Sequence, residues 1–327
     1  MKKKIIKIVS LMLTLAMIYQ VSAFAENTYE GMSYEVRNGQ VAITDFPTWT
    51  EIDLVIPDTI EEKPVTILAE NCFYYCRGIS SIYIPKGITS IERNALKKCY
   101  GLRDIKVSEE NPNFKSIDGN LYSKDGKKLI QYSIYKNEKS VTIPEGTEVI
   151  CDSAFDYAYP MENIIMPDSV KTIEYNAFYG CEGLTDLRLG DGVETIGNCA
   201  FNECKGLKNV VIPNSVKTID MNAFRSCGKL QTVTIGSGVT KIGDWAFKIC
   251  DAITDVYYCG SEAQWKAISI GKDNETLKNA NIHFNSTMPQ KNAAASTVVP
   301  AKTVPQKKAD REFGGVYITF LNSLLEN

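Results

Sequence analysis

One histidine in 327 residues removes most metal centres and His-based nucleophile pairs from consideration. Positive charge is not in excess either: 36 Lys and Arg face 39 Asp and Glu, a net charge of −3. Phosphate binding needs a clustered basic surface, so nucleic acid is not expected as a partner. Long apolar runs are also missing. No stretch after residue 25 approaches the roughly 18–20 apolar residues of a bilayer span, so no transmembrane segment is expected in the mature chain. What is present is an ordinary folded composition, 44% apolar and 23% charged, which excludes wholesale disorder. Ten cysteines stand out against it.

The first 25 residues read as an export signal. Lys2, Lys3 and Lys4 form a basic start, and a mostly apolar stretch runs from Ile5 to Tyr19. Ser22-Ala23-Phe24-Ala25 then supplies an Ala-x-Ala cleavage site before Glu26. An apolar run of about 15 residues is too short for a membrane anchor, so cleavage and secretion are expected. Removing Lys2, Lys3, Lys4 and Lys7 from the 36 basic residues leaves 32 against 39 acids, a charge of −7. Residues 26–285 alone carry 27 basic and 36 acidic residues, which disfavours unassisted binding to anionic membranes or DNA.

Self-similarity organises the rest. Ala-Phe occurs at 154–155, 177–178, 200–201, 223–224 and 246–247, each step being 23. The same step links Pro144, Pro167, Gly190, Pro213 and Gly236, and also Cys181, Cys204, Cys227 and Cys250, with Cys76 and Cys99 upstream. The unit is L-x-x-[IVL]-x-[IVL]-[PG]-x-x-V-x-x-I-x-x-x-A-F-x-x-C. In Val210-Val211-Ile212 the outer residues alternate inward with period two, as a strand requires, and Pro or Gly ends it. The V-x-x-I segment, such as Val216 and Ile219, points inward again from an extended or tight-turn stretch. Ala223, Phe224 and Cys227 have helical spacing and suggest about one turn of helix or 3-10 helix. A lone unit cannot bury these side chains, but stacked units can, with successive strands forming a parallel sheet.

The units "VVIPNSVKTIDMNAFRSCGKLQT" and "VTIGSGVTKIGDWAFKICDAITD" resemble the BspA-like class of leucine-rich repeat, common in secreted and surface proteins of bacteria. The resemblance covers roughly residues 30–285. It includes an N-terminal coil (30–80), a long hairpin coil (about 105–140), regular coils (141–255) and a C-terminal cap (256–285). It implies an α/β-type solenoid, mostly β, with 23-residue coils, a parallel β-sheet on its concave face and short helical or 3-10 turns elsewhere. Asp118-Gly119 and Asp125-Gly126 are turn formers, expected to make a hairpin that projects from the stack.

Little in the sequence suggests chemistry. Cys76, Cys99, Cys181, Cys204, Cys227 and Cys250 share one column and read as reduced core thiols, since parallel side chains fit a disulfide torsion poorly. Cys72 replaces the column alanine and is expected in the core as well. Cys151, Cys199 and Cys259 lie off these columns and are the candidates for exposure. His283 sits at the end of the cap with no cysteine column beside it. Gly190, Gly192, Gly236 and Gly238 lack phosphate-loop spacing and recur as repeat turns. Asp118, Asp125, Glu109 and Glu110 lack EF-hand spacing, so no metal or other cofactor is expected.

What remains is the solvent face of the sheet. One column reads Tyr83, Lys106, Thr142, Ile165, Arg188, Val211, Thr234, Tyr257; the column before it includes Asn163, Asp186, Asn209 and Asp255. Aromatics and Arg on an open surface are typical contact residues, although β-branched residues are also simply good strand formers. Residues 286–310 are rich in Pro, Ala and Lys and read as a flexible linker, and 311–327 as a short apolar tail. The function expected is a noncatalytic, secreted or surface-held binding protein for a protein or glycan ligand, consistent with the adhesion associated with BspA-like relatives. The alternative is a substrate- or wall-targeting module of a larger or truncated exported enzyme. A glycosidase built on Asp104, Asp186 and Asp255 is disfavoured, because no deep pocket is expected to raise a general acid's pKa.

Overall fold

The structure, a computed structural model, describes residues 27–46, 49 and 51–290. The export signal, the 311–327 tail and most of the linker lie outside the described residues.

Each coil lays down a short strand where the sequence alternates. Asp186–Arg188, Asn209–Ile212, Thr232–Ile235, Asp255–Tyr258 and Asn281–His283 pair in parallel as one five-stranded sheet. Register follows the repeat, with Val210 opposite Val233 and Val233 opposite Val256. Leu187, Val210, Val233 and Val256 point inward and are buried. Upstream, Ile52–Val55, Ile79–Ile84 and Asp104–Val107 form a three-stranded sheet of the same kind, and Ser140–Thr142 with Asn163–Ile165 a pair.

The V-x-x-I segments build a sheet of their own. Two-residue strands at Val149–Ile150, Thr172–Ile173, Thr195–Ile196, Thr218–Ile219, Lys241–Ile242 and Ser269–Ile270 continue a nine-stranded sheet that begins at Phe114–Ile117. Their inward isoleucines, from Ile150 to Ile242, are buried.

The Ala-Phe-x-x-Cys side is not a continuous helix. Its amides alternate between two partners. Ala200 and Asn202 donate to carbonyls three residues back, at Gly197 and Cys199, which is 3-10 spacing in single turns. Cys199, Phe201 and Glu203 donate instead to Met221, Ala223 and Arg225 of the next coil. Bonding between coils requires a left-handed residue at every fourth position, as at Asn222 (φ 56°) and Ser226 (φ 60°), and this interrupts any helix. The described helices, Glu262–Lys266 and Glu275–Lys278, lie in the cap.

Phe155, Phe178, Phe201, Phe224 and Phe247 stack face to face down the interior, with ring centroids 4.7–5.2 Å apart. Tyr132 of the long coil continues the stack at 4.6 Å from Phe155. The glycine at 192 is there for close packing: a Cβ would overlap the Asp168 carbonyl oxygen of the coil before.

The long coil departs from expectation. Asp118 (φ 49°) and Gly119 (φ 66°) do make the hairpin turn between Phe114–Ile117 and Asn120–Ser123. The hairpin packs against the stack rather than projecting from it. Leu121 and Tyr122 are buried, and Ile105 donates its amide to Gly119 O at 2.9 Å. Burying these two large side chains outweighs leaving the hairpin free in solvent. The interior divides here into two apolar clusters, with Leu121 in one and Tyr122 in the other.

Candidate functional site

On the strand side, the residues expected to face solvent fall into three groups. Tyr83 lies opposite Lys106 in the first sheet, and both are exposed. Asn163 is exposed and Ile165 half-buried on the middle pair. Asp186, Asn209, Thr232 and Asp255 lie in register in the third sheet, followed by Arg188, Val211, Thr234 and Tyr257. Short polar side chains bond along the first of these rows: Asn209 Nδ2 donates to Asp186 Oδ1 at 2.7 Å, and Thr232 Oγ1 to Asn209 Oδ1 at 2.5 Å.

Two positions differ from the sequence reading. Thr234 is buried, only 7% exposed. Arg188 is not free: Nη1 donates to Pro289 O at 2.7 Å and Nη2 to Asp191 Oδ1 at 3.2 Å. Ser286 donates its amide to Tyr258 O at 3.0 Å, and the chain then runs back to Pro289 at Arg188, across the strands that carry Thr234 and Val211. The segment read as linker from 286 therefore starts as a strap on the sheet.

At the cap end, His283 stacks on Tyr257 with ring centroids 4.7 Å apart, and its Nε2 lies 2.8 Å from Asp255 Oδ1. That hydrogen bond, aided by Thr254, holds the Asp255 carboxyl below the usual carboxylate range. Among the described residues no group of three or more His, Cys, Asp or Glu is placed to hold a metal ion.

A cleft of about 720 Å³ opens at the corner between the turns and the first sheet. Arg77, Tyr100 and Tyr159 occupy one repeat position in three coils, directly after Cys76, Cys99 and Ala158. Tyr75 and Tyr157 precede them at left-handed positions (φ 63° and 61°), which turn the side chains outward. Tyr135 of the long coil and Trp49 complete the aromatic lining. The rings meet edge to face, with Tyr100 at 5.8 Å from Tyr75 and 6.4 Å from Tyr157. Arg77 lies over Trp49 and Tyr100 at 6.0 and 5.8 Å, and Arg103 over Tyr135 at 5.0 Å. Burial, with Tyr75 beside it, pushes the Tyr100 phenol above its ordinary pKa.

The model of the BspA type leucine rich repeat region matches this chain in six copies, over residues 54–137 and 127–254. The chain belongs to that family.

Among solved structures, a leucine-rich repeat protein from Eubacterium ventriosum is similar at 21% identity and a TM-score of 0.57, over 73% of this chain and 68% of that one. The pneumococcal vaccine antigen PcpA is similar at 18% identity and 0.46, over 82% and 99%. A leucine rich cell surface protein from Faecalibacterium prausnitzii is similar at 21% and 0.33, over 75% and 97%. The likeness to the Eubacterium ventriosum protein bears on the fold alone. No curated protein matches the chain.

The aromatic cleft escaped the sequence reading because it uses columns the repeat leaves variable. In the regular BspA-type coils the position after the cysteine is Glu182, Lys205, Gly228 or Asp251, and aromatics collect there only beside the long coil. The cysteine column is buried, and desolvation pushes the thiols of Cys99, Cys181 and Cys227 well above their ordinary pKa. Cys151, Cys199 and Cys259 are half-buried, and burial pushes Cys151 up to about 12.

Proposed function

We propose that this leucine-rich repeat protein is a noncatalytic binding protein, exported or held at the cell surface, that recognises a protein or glycan ligand and serves in host adhesion. The observation that carries the proposal is the exposed row on paired strands. Tyr83 and Lys106, with Asn163 and Ile165, offer aromatic, cationic and apolar contacts on strands whose backbone groups are used within the sheets. Rigid strands lower the ordering cost of binding, which favours this surface over a loop. The contacts of Ser286 with Tyr258 and of Pro289 with Arg188 favour the first and middle sheets as the contact surface.

The test is surface plasmon resonance of the mature chain over collagen, mucin and peptidoglycan. The triple substitution Tyr83→Ser, Lys106→Ser, Ile165→Ser should abolish whichever signal is seen while leaving thermal unfolding unchanged. Undiminished binding by the triple variant would remove the sheet face from the role.

A further inference from the structure

We infer that the aromatic cleft beside the long coil is a binding site for an acidic saccharide, one whose pyranose units carry a carboxylate. The site is distinct from the sheet face and stands whether or not that face binds.

The first support is the lining. Tyr135, Tyr159 and Tyr75 are 52%, 46% and 45% exposed around one concavity. Scattered surface aromatics are ordinary, but several converging on one cleft mark a contact site. Its volume falls within the range of small-molecule pockets and is suited to a few sugar rings rather than a protein face. No aliphatic side chain lines it, and its contact surface is aromatic and polar throughout. Ring faces carry negative potential and meet the C–H faces of a pyranose, while tyrosyl hydroxyls, Ser80 and the Glu51–Arg103 pair (3.2 Å) can meet its hydroxyls.

The second support is charge. Arg103 is paired with Glu51, but Arg77 forms no ion pair among the described residues. Its guanidinium is exposed and oriented by Trp49 and Tyr100 rather than by a carboxylate. A planar donor fork held over aromatic rings is arranged for bidentate pairing with a carboxylate. Lys98 lies over Tyr75 and Tyr157 at 5.2 and 5.1 Å, with the Asp156 carboxyl near enough to offset part of its charge. Arg77 is therefore the cation in the cleft without an ion pair among the described residues, and it favours an anionic ligand over a neutral one at this spot.

The test is isothermal titration calorimetry of the mature chain with trigalacturonate, a hyaluronan tetrasaccharide and sialyllactose. Lactose, maltotriose and a proline-rich peptide serve as comparison probes. At least one acidic saccharide should bind, and neutral ones about tenfold more weakly, the worth of one charge-assisted contact. Arg77→Gln should remove that discrimination, and Tyr159→Ser should weaken acidic and neutral saccharides alike. Added salt should weaken the acidic ligand only. The three acidic probes distinguish uronic from sialic acids. The inference is overturned if none of the acidic saccharides binds, if Arg77→Gln and Tyr159→Ser both leave binding unchanged, or if the proline-rich peptide binds more tightly than every saccharide. Both residues are exposed, and an unchanged circular dichroism melt confirms that a variant's loss is not one of folding.

Discussion

The thiol of Cys227 donates to the carbonyl oxygen of Phe201, 3.3 Å away and 26 positions earlier in the chain. The bond recurs at Cys181 to Phe155, Cys204 to Phe178 and Cys250 to Phe224, at 3.0–3.3 Å. The column cysteine is thus more than a small apolar filler: it adds a weak donor to a carbonyl buried between coils. This role needs the reduced thiol, and burial keeps that thiol protonated.

Ellman's reagent should therefore separate the ten cysteines into two classes. In the native protein at pH 8 only Cys151, Cys199 and Cys259 should react on a practical timescale, and slowly, because burial raises all three pKa values. In denaturant all ten should react. Fewer than ten thiols in the denatured, unreduced protein would show disulfides and refute the column reading.

Phe224→Ala tests the interior stack. Phe224 is fully buried, 5.2 Å from both Phe201 and Phe247. Truncation should cost about 3–5 kcal/mol by urea denaturation. Because each coil touches mainly its neighbours, amide exchange should accelerate around residues 200–250 before it does near the N-terminal hairpin.

Asn274→Ala tests how the stack ends. In a regular coil Phe224 donates its amide to Ala246 of the next coil at 2.8 Å. Phe247 has no further coil of that kind, and Asn274 Oδ1 accepts its amide at 2.9 Å while Nδ2 donates to Gly243 O and Gly271 O. The substitution leaves several buried groups unpaired and should cost about 3 kcal/mol. Exchange of the Phe247 amide is the local measurement. An amide as protected as in the parent would sink this account of the cap.

These residues also mark what a sequence can disclose. Repeated columns were legible because a periodic stack imposes the same burial on each coil, so Val210, Ile219, Phe224 and Cys227 could be placed from spacing. The turns were less legible: Ala-Phe-x-x-Cys suits one helical turn as well as stacked single turns, and bonding between coils decides between them. Thr234 keeps its expected place in the row, in register with Val211 and Tyr257, yet it is buried, and Pro289 of the segment compositionally read as a linker reaches Arg188 in the same row. The aromatic cleft depends on one irregular coil bringing Tyr100 to Tyr157, which no column predicts.

A pH dependence follows from Asp156. Its carboxyl is buried beside the stack, Oδ1 has no hydrogen-bond partner, and desolvation raises its pKa from 3.8 to about 7 despite Lys98 and Lys97 nearby. A raised carboxyl pKa means that the folded state holds a proton the unfolded chain has already lost. Stability should therefore fall as pH rises from about 4 to about 7, by up to roughly 4 kcal/mol at 1.36 kcal/mol per unit. Asp156→Asn removes the titration: the variant should match the parent near pH 4 and exceed it at pH 8. Denaturation curves at the two pH values measure this, and an equal difference between parent and variant at both would show that Asp156 does not titrate as described.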